Sequence, residues 1–206
     1  MKIDVAVAGL PRVGKTLFCI NFAEYMGARN LCYTQSGPTG RGKGVVTPGE
    51  AREKMVYAGA RLNGVVRGFV VNLLSREPIR LLLADTAALN ATNPLSKQDR
   101  RSLCFTLNAL QEADVVLYLM ELPCTDPVKI DFALQVNLAL SGYCLRHNKP
   151  YLLVGTKLDQ LTGSSRLQKQ IFCPNGKLFK LSSVTREGFP DLRRILFKCF
   201  GLIPDR

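Results

Sequence analysis

The sequence has few of the features that mark membrane-spanning, disulfide-bonded or metal-caged proteins. No apolar run approaches the roughly 18 to 20 residues that a membrane span needs, and no signal peptide follows Met1. Its 7 cysteines are odd in number and form no C-x-x-C pair, and His147 is the single histidine. These absences argue against a transmembrane protein, a disulfide framework and a zinc site. We therefore expect a cytoplasmic protein with reduced cysteines.

Acidic residues are scarce as well. The 206 residues include 28 Lys and Arg but 16 Asp and Glu, which gives a formal net charge of +12. Residues 146–206 hold 12 of the basic and 4 of the acidic residues, so most of the excess charge lies in the last third of the chain. Such charge attracts polyanions without specificity. It is compatible with RNA or an acidic membrane surface as a partner, and equally with a solvated basic face.

Short apolar segments alternate with segments of helical periodicity, which is typical of a parallel sheet covered by helices. The predicted strands are residues 3–8, 68–74, 79–84, 115–120, 151–155 and 178–181. The predicted helices are residues 15–26, 99–112, 127–146, 164–170 and 190–200. The loop at residues 75–78 is too short for a helical crossover and predicts an antiparallel hairpin. We expect one α/β domain over residues 1–206, with a mostly parallel six-stranded sheet, one antiparallel edge strand and no appended domain.

One segment gives no clear periodicity. Residues 34–49 are rich in glycine and contain two prolines, which predicts a mobile loop. Residues 51–62 have weak helical spacing and are compatible with an added helix or with an extension of a strand.

The first chemical motif reads G-L-P-R-V-G-K-T and matches G-x-x-x-x-G-K-[ST] between a predicted strand and a predicted helix. The backbone N–H groups of such a loop surround a phosphate at a helix N-terminus. Lys15 would bridge the β- and γ-phosphates, and the Thr16 hydroxyl would bind Mg²⁺. The predicted phosphate-binding residues are Gly9, Leu10, Pro11, Arg12, Val13, Gly14, Lys15, Thr16 and Leu17.

Three further motifs follow later strands. In Thr156-Lys157-Leu158-Asp159, the carboxylate can accept hydrogen bonds from N1–H and the N2 amine of guanine, a donor pair that adenine lacks, while the Lys157 stem would lie on the purine. Asp85, at the end of another strand, would hold the water shell of Mg²⁺. After the last strand, a backbone N–H of Ser182, Ser183 or Val184 could donate to guanine O6, a weak signal by itself.

These motifs are numbered as introduced: the first is Gly9–Thr16, the second Thr156–Asp159, the third begins at Asp85, and the fourth begins at Ser182. By their spacing along the chain and their positions at strand ends, the four motifs resemble the G domain of the small regulatory GTPases over essentially the whole chain. The Era-like group, with the TrmE and EngA G domains, is most similar, because it shares Pro11, the Asp-Thr opening of the third motif and an S-A-x-T-x-x-G pattern like that from Ser182 to Gly188. An apolar residue, here Leu89, follows the third motif in this group where Ras-like proteins carry a water-orienting glutamine. The resemblance implies that the chain binds GTP and GDP with Mg²⁺ and hydrolyses GTP slowly as a switch. It also implies stimulation by a partner protein, a dimer or a monovalent cation, and a role in ribosome or RNA-related assembly.

Some positions depart from the family pattern. Ala88 stands where the family glycine donates its N–H to the γ-phosphate, and Thr156 where asparagine is commonest. Arg12 replaces the asparagine that helps to hold a cation in potassium-activated relatives. We hypothesise that its guanidinium replaces that cation; the alternative is a solvent-facing arginine. Thr47, or as a second choice Thr39, would complete the metal shell when GTP is bound. The predicted catalytic set is Lys15, Thr16, Thr47, Ala88 and Arg12, and the predicted metal ligands are Thr16, Thr47 and Asp85.

Two other functions stay open. Ala88 and Leu89 are compatible with a guanine-nucleotide-dependent binding module that hydrolyses little or no GTP. P-loop ATPases of the partitioning or metal-insertion type also carry G-x-x-x-x-G-K-T, but they have a second lysine at the position of Leu10 and have no need for Asp159. The sequence therefore favours a guanine-nucleotide protein over an ATPase.

Overall fold

A computed structural model describes residues 1–37, 40–57, 66–73, 78–89, 96–161 and 178–202. The strands in these ranges are β1 (Lys2–Gly9), β2 (Leu31–Gly37), β3 (Gly40–Val46), β4 (Val66–Leu73), β5 (Ile79–Asp85), β6 (Val115–Glu121), β7 (Tyr151–Thr156) and β8 (Leu178–Lys180). The helices are α1 (Lys15–Tyr25), α2 (Pro48–Arg52), α3 (Lys97–Glu112), α4 (Pro127–Arg146) and α5 (Phe189–Cys199). A π-helical turn, Glu53–Tyr57, follows α2, and a 3₁₀ turn, Leu158–Gln160, follows β7.

The strands form one 8-stranded sheet in the order β3-β2-β4-β5-β1-β6-β7-β8. From β5 to β8 all neighbours are parallel, and from β3 to β5 all neighbours are antiparallel. The α/β class and the hairpin between β4 and β5 are thus confirmed. The sheet is larger than the predicted six strands with one antiparallel edge strand, because β2 and β3 extend its antiparallel side.

The prediction of a mobile loop over residues 34–49 was wrong for the part of that segment that the structure describes. There, β2 and β3 pair in register from Leu31 opposite Val46 to Gly37 opposite Gly40. A Cβ atom on Gly44 would come within 2.8 Å of the Tyr33 ring, so the missing side chain makes room for a large neighbour on the facing strand. Glycine here permits cross-strand packing and does not break the strand.

The undecided segment that begins at residue 51 is helical through Tyr57, and its remainder lies outside the described residues, as does the predicted helix at residues 164–170. Thr47 starts this helical part as the N-cap of α2.

The core lies on both faces of the parallel strands. β6 is buried from Val115 to Met120, which explains why its sequence is apolar without alternation. On one face, the rings of Phe18 and Phe22 in α1 pack against Phe189 at the start of α5, with centroid distances of 5.9 and 5.2 Å. This cluster fixes the helix that begins at the first chemical motif. Among the described residues, no helix has the length and apolar character to span a membrane.

The turn into α5 gives a test of this packing. Gly188 has φ +80°, and a Cβ atom there would overlap the Lys180 carbonyl oxygen and lie 2.9 Å from the Leu181 Cβ. We expect Gly188→Ala to lower the free energy of unfolding by about 3 kcal/mol, measured by urea denaturation. Gly142→Ala is the control, because no described atom beyond its own helix lies within 4 Å of the added Cβ. Equal effects of the two substitutions would contradict this account.

Candidate functional site

The four predicted motifs meet at one edge of the sheet. They follow the carboxyl ends of β1, β5, β7 and β8, and carboxyl ends of parallel strands are the usual place for ligands in such folds. Backbone hydrogen bonds join the motifs directly. The Leu89 N–H donates to the Gly9 carbonyl at 3.2 Å, and the Leu158 N–H donates to the Leu181 carbonyl at 3.1 Å. The fold therefore brings the third motif to the first, and the fourth motif to the second.

The loop between β1 and α1 has the backbone geometry that an anion site needs. Gly14 is the N-cap of α1 with φ 92°, a left-handed conformation that glycine adopts without a steric penalty. In the described part of the chain, no side chain caps this helix start. Its first backbone N–H groups are therefore left for a ligand, and the positive end of the helix dipole favours an anion.

Lys15 places a buried cation inside this loop. Its side chain is 8% exposed, and Nζ donates to the carbonyl oxygens of Gly9 and Leu10 at 3.0 and 2.9 Å. Burial lowers the pKa of Lys15 to about 8, although the Asp85 carboxylate opposes this shift. A poorly solvated ammonium gains more from an arriving phosphate than one in water does.

The two residues predicted to bind metal at this edge are in contact. The Thr16 hydroxyl donates to Asp85 Oδ2 at 2.8 Å. Burial raises the pKa of Asp85, and Lys15, the Thr16 hydrogen bond and Arg67 oppose that rise. Mg²⁺ takes oxygen ligands and is commonly held by one or two protein groups together with phosphate and water. This carboxylate and hydroxyl fit that chemistry, beside the loop that would hold the phosphates.

A third charged group at this site belongs to none of the four sequence motifs. Arg67 in β4 lies opposite Asp85 in the antiparallel register, with Nη1 3.6 Å from Asp85 Oδ2. The two side chains are 6% and 3% exposed. The signal in the sequence was partial, because extending the predicted hairpin from its four-residue loop places Asp85 opposite Gly68, one residue from Arg67. The observed register pairs Leu73 with Ile79, and this brings Arg67, the only charged residue of β4, opposite Asp85.

The second motif is tied to the first by its threonine. The Thr156 hydroxyl lies 2.9 Å from the Val13 carbonyl and 3.2 Å from the Met120 carbonyl, and it is buried. Threonine at the place of the usual asparagine thus links the second motif to the phosphate loop. Asp159 follows in the 3₁₀ turn with an exposed side chain.

The structure fixes both the backbone conformation and the ammonium group of Lys157. Its backbone is left-handed, with φ 59°, and its ammonium donates to Glu121 Oε1 at 2.6 Å. Lys129 donates to the other oxygen of Glu121 at 2.5 Å. Glu121, which sequence analysis did not single out, thus orients the side chain whose stem is predicted to lie on the base.

The fourth motif forms a tight turn beside the second. The Ser182 hydroxyl accepts hydrogen bonds from the N–H groups of Val184 and Thr185 at 3.2 and 3.1 Å, and the Ser183 carbonyl accepts one from the Asn21 amide at 2.7 Å. Ser182 and Ser183 are buried, and Val184 is 66% exposed.

The remaining predicted residues differ in their positions. Thr47 is engaged in a capping box, in which its hydroxyl and N–H bond to the Glu50 carboxylate and the Glu50 N–H donates to its hydroxyl. Thr39 lies outside the described residues. Arg12 is exposed with φ 65°. Ala88 and Leu17 are half-buried, Ala88 beside Leu89 and Leu17 in the first turns of α1.

Solved structures share this arrangement of strands and helices. Era from Aquifex aeolicus, as a variant bound to GDP·AlF4⁻, has a TM-score of 0.57 and 14% identity, over 100% of this chain and 58% of that one. Era in complex with MgGDPNP and nucleotides 1506–1542 of 16S ribosomal RNA has a TM-score of 0.57 and 13% identity, over the same 100% and 58%. The chain has the fold of a P-loop GTPase G domain. The predicted Era-like fold is thereby confirmed.

This G domain spans 58% of the length of the Era chains that it matches. A variant of SsGBP also matches, with a TM-score of 0.56 and 14% identity over 98% of this chain and 56% of that one. No protein-family model matches the sequence, and no curated protein does either. At such identities the likeness concerns the fold, so the function must be argued from the site.

Proposed function

We propose that this G domain binds GTP and GDP with Mg²⁺ and hydrolyses GTP slowly as a regulatory switch. The observation that carries the proposal is the direct contact between motifs, in which Thr16 meets Asp85 at 2.8 Å and Thr156 meets the Val13 carbonyl at 2.9 Å. A phosphate loop, a metal pair and a base motif are thus in contact with one another. The nucleotides in the two Era structures, GDP·AlF4⁻ and MgGDPNP, support the same ligand class.

Each motif has a role in this proposal. The loop N–H groups and Lys15 hold the phosphates, while Asp159 and the turn at Ser182 recognise the guanine. Thr16 and Asp85 hold Mg²⁺, which would neutralise charge on the phosphates when bound. Thr47 would join them with GTP bound, after release from its capping box with Glu50. The identity of the switch threonine stays a prediction.

Slow hydrolysis follows from the residues near the γ-phosphate position. Leu89 has no group that could orient a water molecule, and Ala88 presents its N–H with a Cβ that restricts close approach. Arg12, an exposed residue of the loop, is available to add positive charge there. These features also favour the second candidate, a binding module with incidental hydrolysis. Single-turnover hydrolysis that rises when ribosomal RNA is added would reject that module, and intact GTP affinity without turnover would reject the switch.

RNA is the partner class that we propose, because the basic charge is compatible with a polyanion and an Era structure holds an RNA fragment. Exposed basic residues of the last third of the chain include Arg186, Arg194 and Lys198, and the 16S ribosomal RNA fragment bound to Era supports RNA over other polyanions. An activating protein, a dimer, a monovalent cation and a cytoplasmic location stay predictions from the family resemblance.

The test of the proposal is equilibrium binding of fluorescent GDP in Mg²⁺, competed by GTP, GDP and ATP. We expect GTP and GDP to displace the probe and ATP to fail at a hundredfold excess or more, because adenine lacks the donor pair that Asp159 accepts. Equal competition by ATP would leave a generic phosphate-binding loop and contradict the guanine assignment. Single-turnover hydrolysis of bound GTP, with and without ribosomal RNA, then separates the switch from the binding module.

A further inference from the structure

We propose that Arg67 is a positioning residue of the metal and phosphate site, and that its fixed charge lets the domain retain GDP when Mg²⁺ is removed. This inference rests on the proposed nucleotide function. Arg67 comes from β4, outside all four motifs, and reaches the site only because β4 pairs with β5 at Asp85.

The position of the guanidinium is the first argument. Arg67 Nη1 lies 3.6 Å from Asp85 Oδ2, and the Thr16 hydroxyl donates to this same oxygen at 2.8 Å. Arg67 and Thr16 are therefore both next to one carboxylate oxygen, well within the Debye length of about 8 Å at physiological salt. With both side chains buried, little solvent screens their charges from a ligand at Thr16.

The second argument is that the guanidinium is incompletely used. Its Nε is buried and has no hydrogen-bond partner among the described residues. The contact that Nη1 makes with Asp85, at 3.6 Å, is longer than a hydrogen bond, whereas a structural buried arginine normally has its donors satisfied. Arg67 thus has donor capacity and charge beyond what the ion pair uses.

The balance of charge gives the expected effect. The buried charged side chains around Thr16 are Asp85, which is negative, and Lys15 and Arg67, which are positive. Before any metal arrives, the described site has one more positive than negative side chain. That excess favours the phosphates of a nucleotide and disfavours a divalent cation, so removal of Mg²⁺ costs less nucleotide affinity than it would without Arg67.

The experiment measures fluorescent GDP affinity in Mg²⁺ and in EDTA for wild type, Arg67→Gln and Arg67→Lys. We expect the GDP affinity of wild type to be lower in EDTA than in Mg²⁺ by about tenfold or less. For Arg67→Gln the same ratio of affinities should be at least about tenfold larger, because one buried charge near the phosphates is removed. In Mg²⁺, the loss of affinity caused by Arg67→Gln should be smaller than its loss in EDTA by about tenfold, and Arg67→Lys should keep most of the affinity in EDTA. The matched control is Arg80→Gln, an exposed arginine in β5 opposite Asn72.

Several results would overturn the inference. Arg67→Gln could weaken binding equally in both buffers, or Arg80→Gln could reproduce its effect, and either would leave Arg67 without a specific role. If Arg67→Gln does not fold, the wild-type measurement still tests the inference. A fall of more than about a hundredfold in the GDP affinity of wild type in EDTA would exclude retention of GDP by a fixed charge. Wild type that binds no guanine nucleotide in Mg²⁺ would refute the proposed function as well, which separates that failure from failure of the inference alone.

Discussion

Asp159→Asn is expected to change the base preference of this domain from guanine to xanthine. A carboxylate accepts hydrogen bonds from N1–H and the exocyclic amine of guanine, whereas an asparagine amide can donate to the oxygen that xanthine carries in place of the amine. The residue is exposed in the turn after β7, so the substitution should not affect folding. We expect GDP affinity to fall at least about a hundredfold, since a site built for a hydrogen-bond donor pair rejects ligands that lack a match.

The measurement is competition for a bound fluorescent nucleotide by GDP and by xanthosine diphosphate. Asp131→Asn is the control, because Asp131 is exposed in α4 and bonds to Gln135, which belongs to none of the four motifs. A variant that keeps GDP and gains no affinity for xanthosine diphosphate would show that Asp159 does not read the base. The phosphate loop would then stand without its proposed specificity.

The parts of the fold that could be predicted were those encoded by local pattern. The helix at Pro127–Arg146 was predicted with its observed bounds, since it has a proline at its first position and a long periodic segment. The β4–β5 hairpin followed from a short loop. The β2–β3 hairpin could not be predicted in this way. Its Gly44 and Gly42 make room for Tyr33 and Gln35 on the neighbouring strand, and that role is visible only when the two strands are paired.

The residues of the site also differ in whether a local pattern could predict them. Gly14, Lys15 and Thr16 are contiguous in sequence, and their motif requires a strand before it and a helix after it, so both residues and context could be checked locally. Arg67 lies 18 residues before its partner Asp85 in the sequence, and Lys157 lies 36 residues after Glu121. Such contacts depend on strand order and register, which a motif does not specify. The Thr47 capping box is the converse case, because Thr47 and Glu50 are three residues apart and match a local N-cap pattern that can be read from the sequence.

Loss of the Lys15 charge, by substitution or by pH, should have the largest effect on the domain. Lys15→Met removes the cation that Gly9 and Leu10 hold inside the loop, so we expect GDP affinity to fall at least about a thousandfold. Folding should survive, because the folded protein buries this charge at a cost of about 3 kcal/mol, while Arg67 still faces Asp85. Fluorescent GDP binding and thermal unfolding measure the two effects, with the exposed Lys97→Met as control.

The pH dependence follows from the same group. Without nucleotide, the pKa of Lys15 is about 8, below its ordinary 10.5, so its burial destabilises the folded state most below pH 8, and stability from this group rises between those two values. Phosphates favour the charged form, so binding above pH 8 takes up a proton. GDP affinity of wild type should therefore fall by up to about tenfold per pH unit above 8. An affinity that is constant from about pH 7 to pH 9.5 would contradict this account, because an ammonium with a lowered pKa that meets the phosphates must lose its proton in that range.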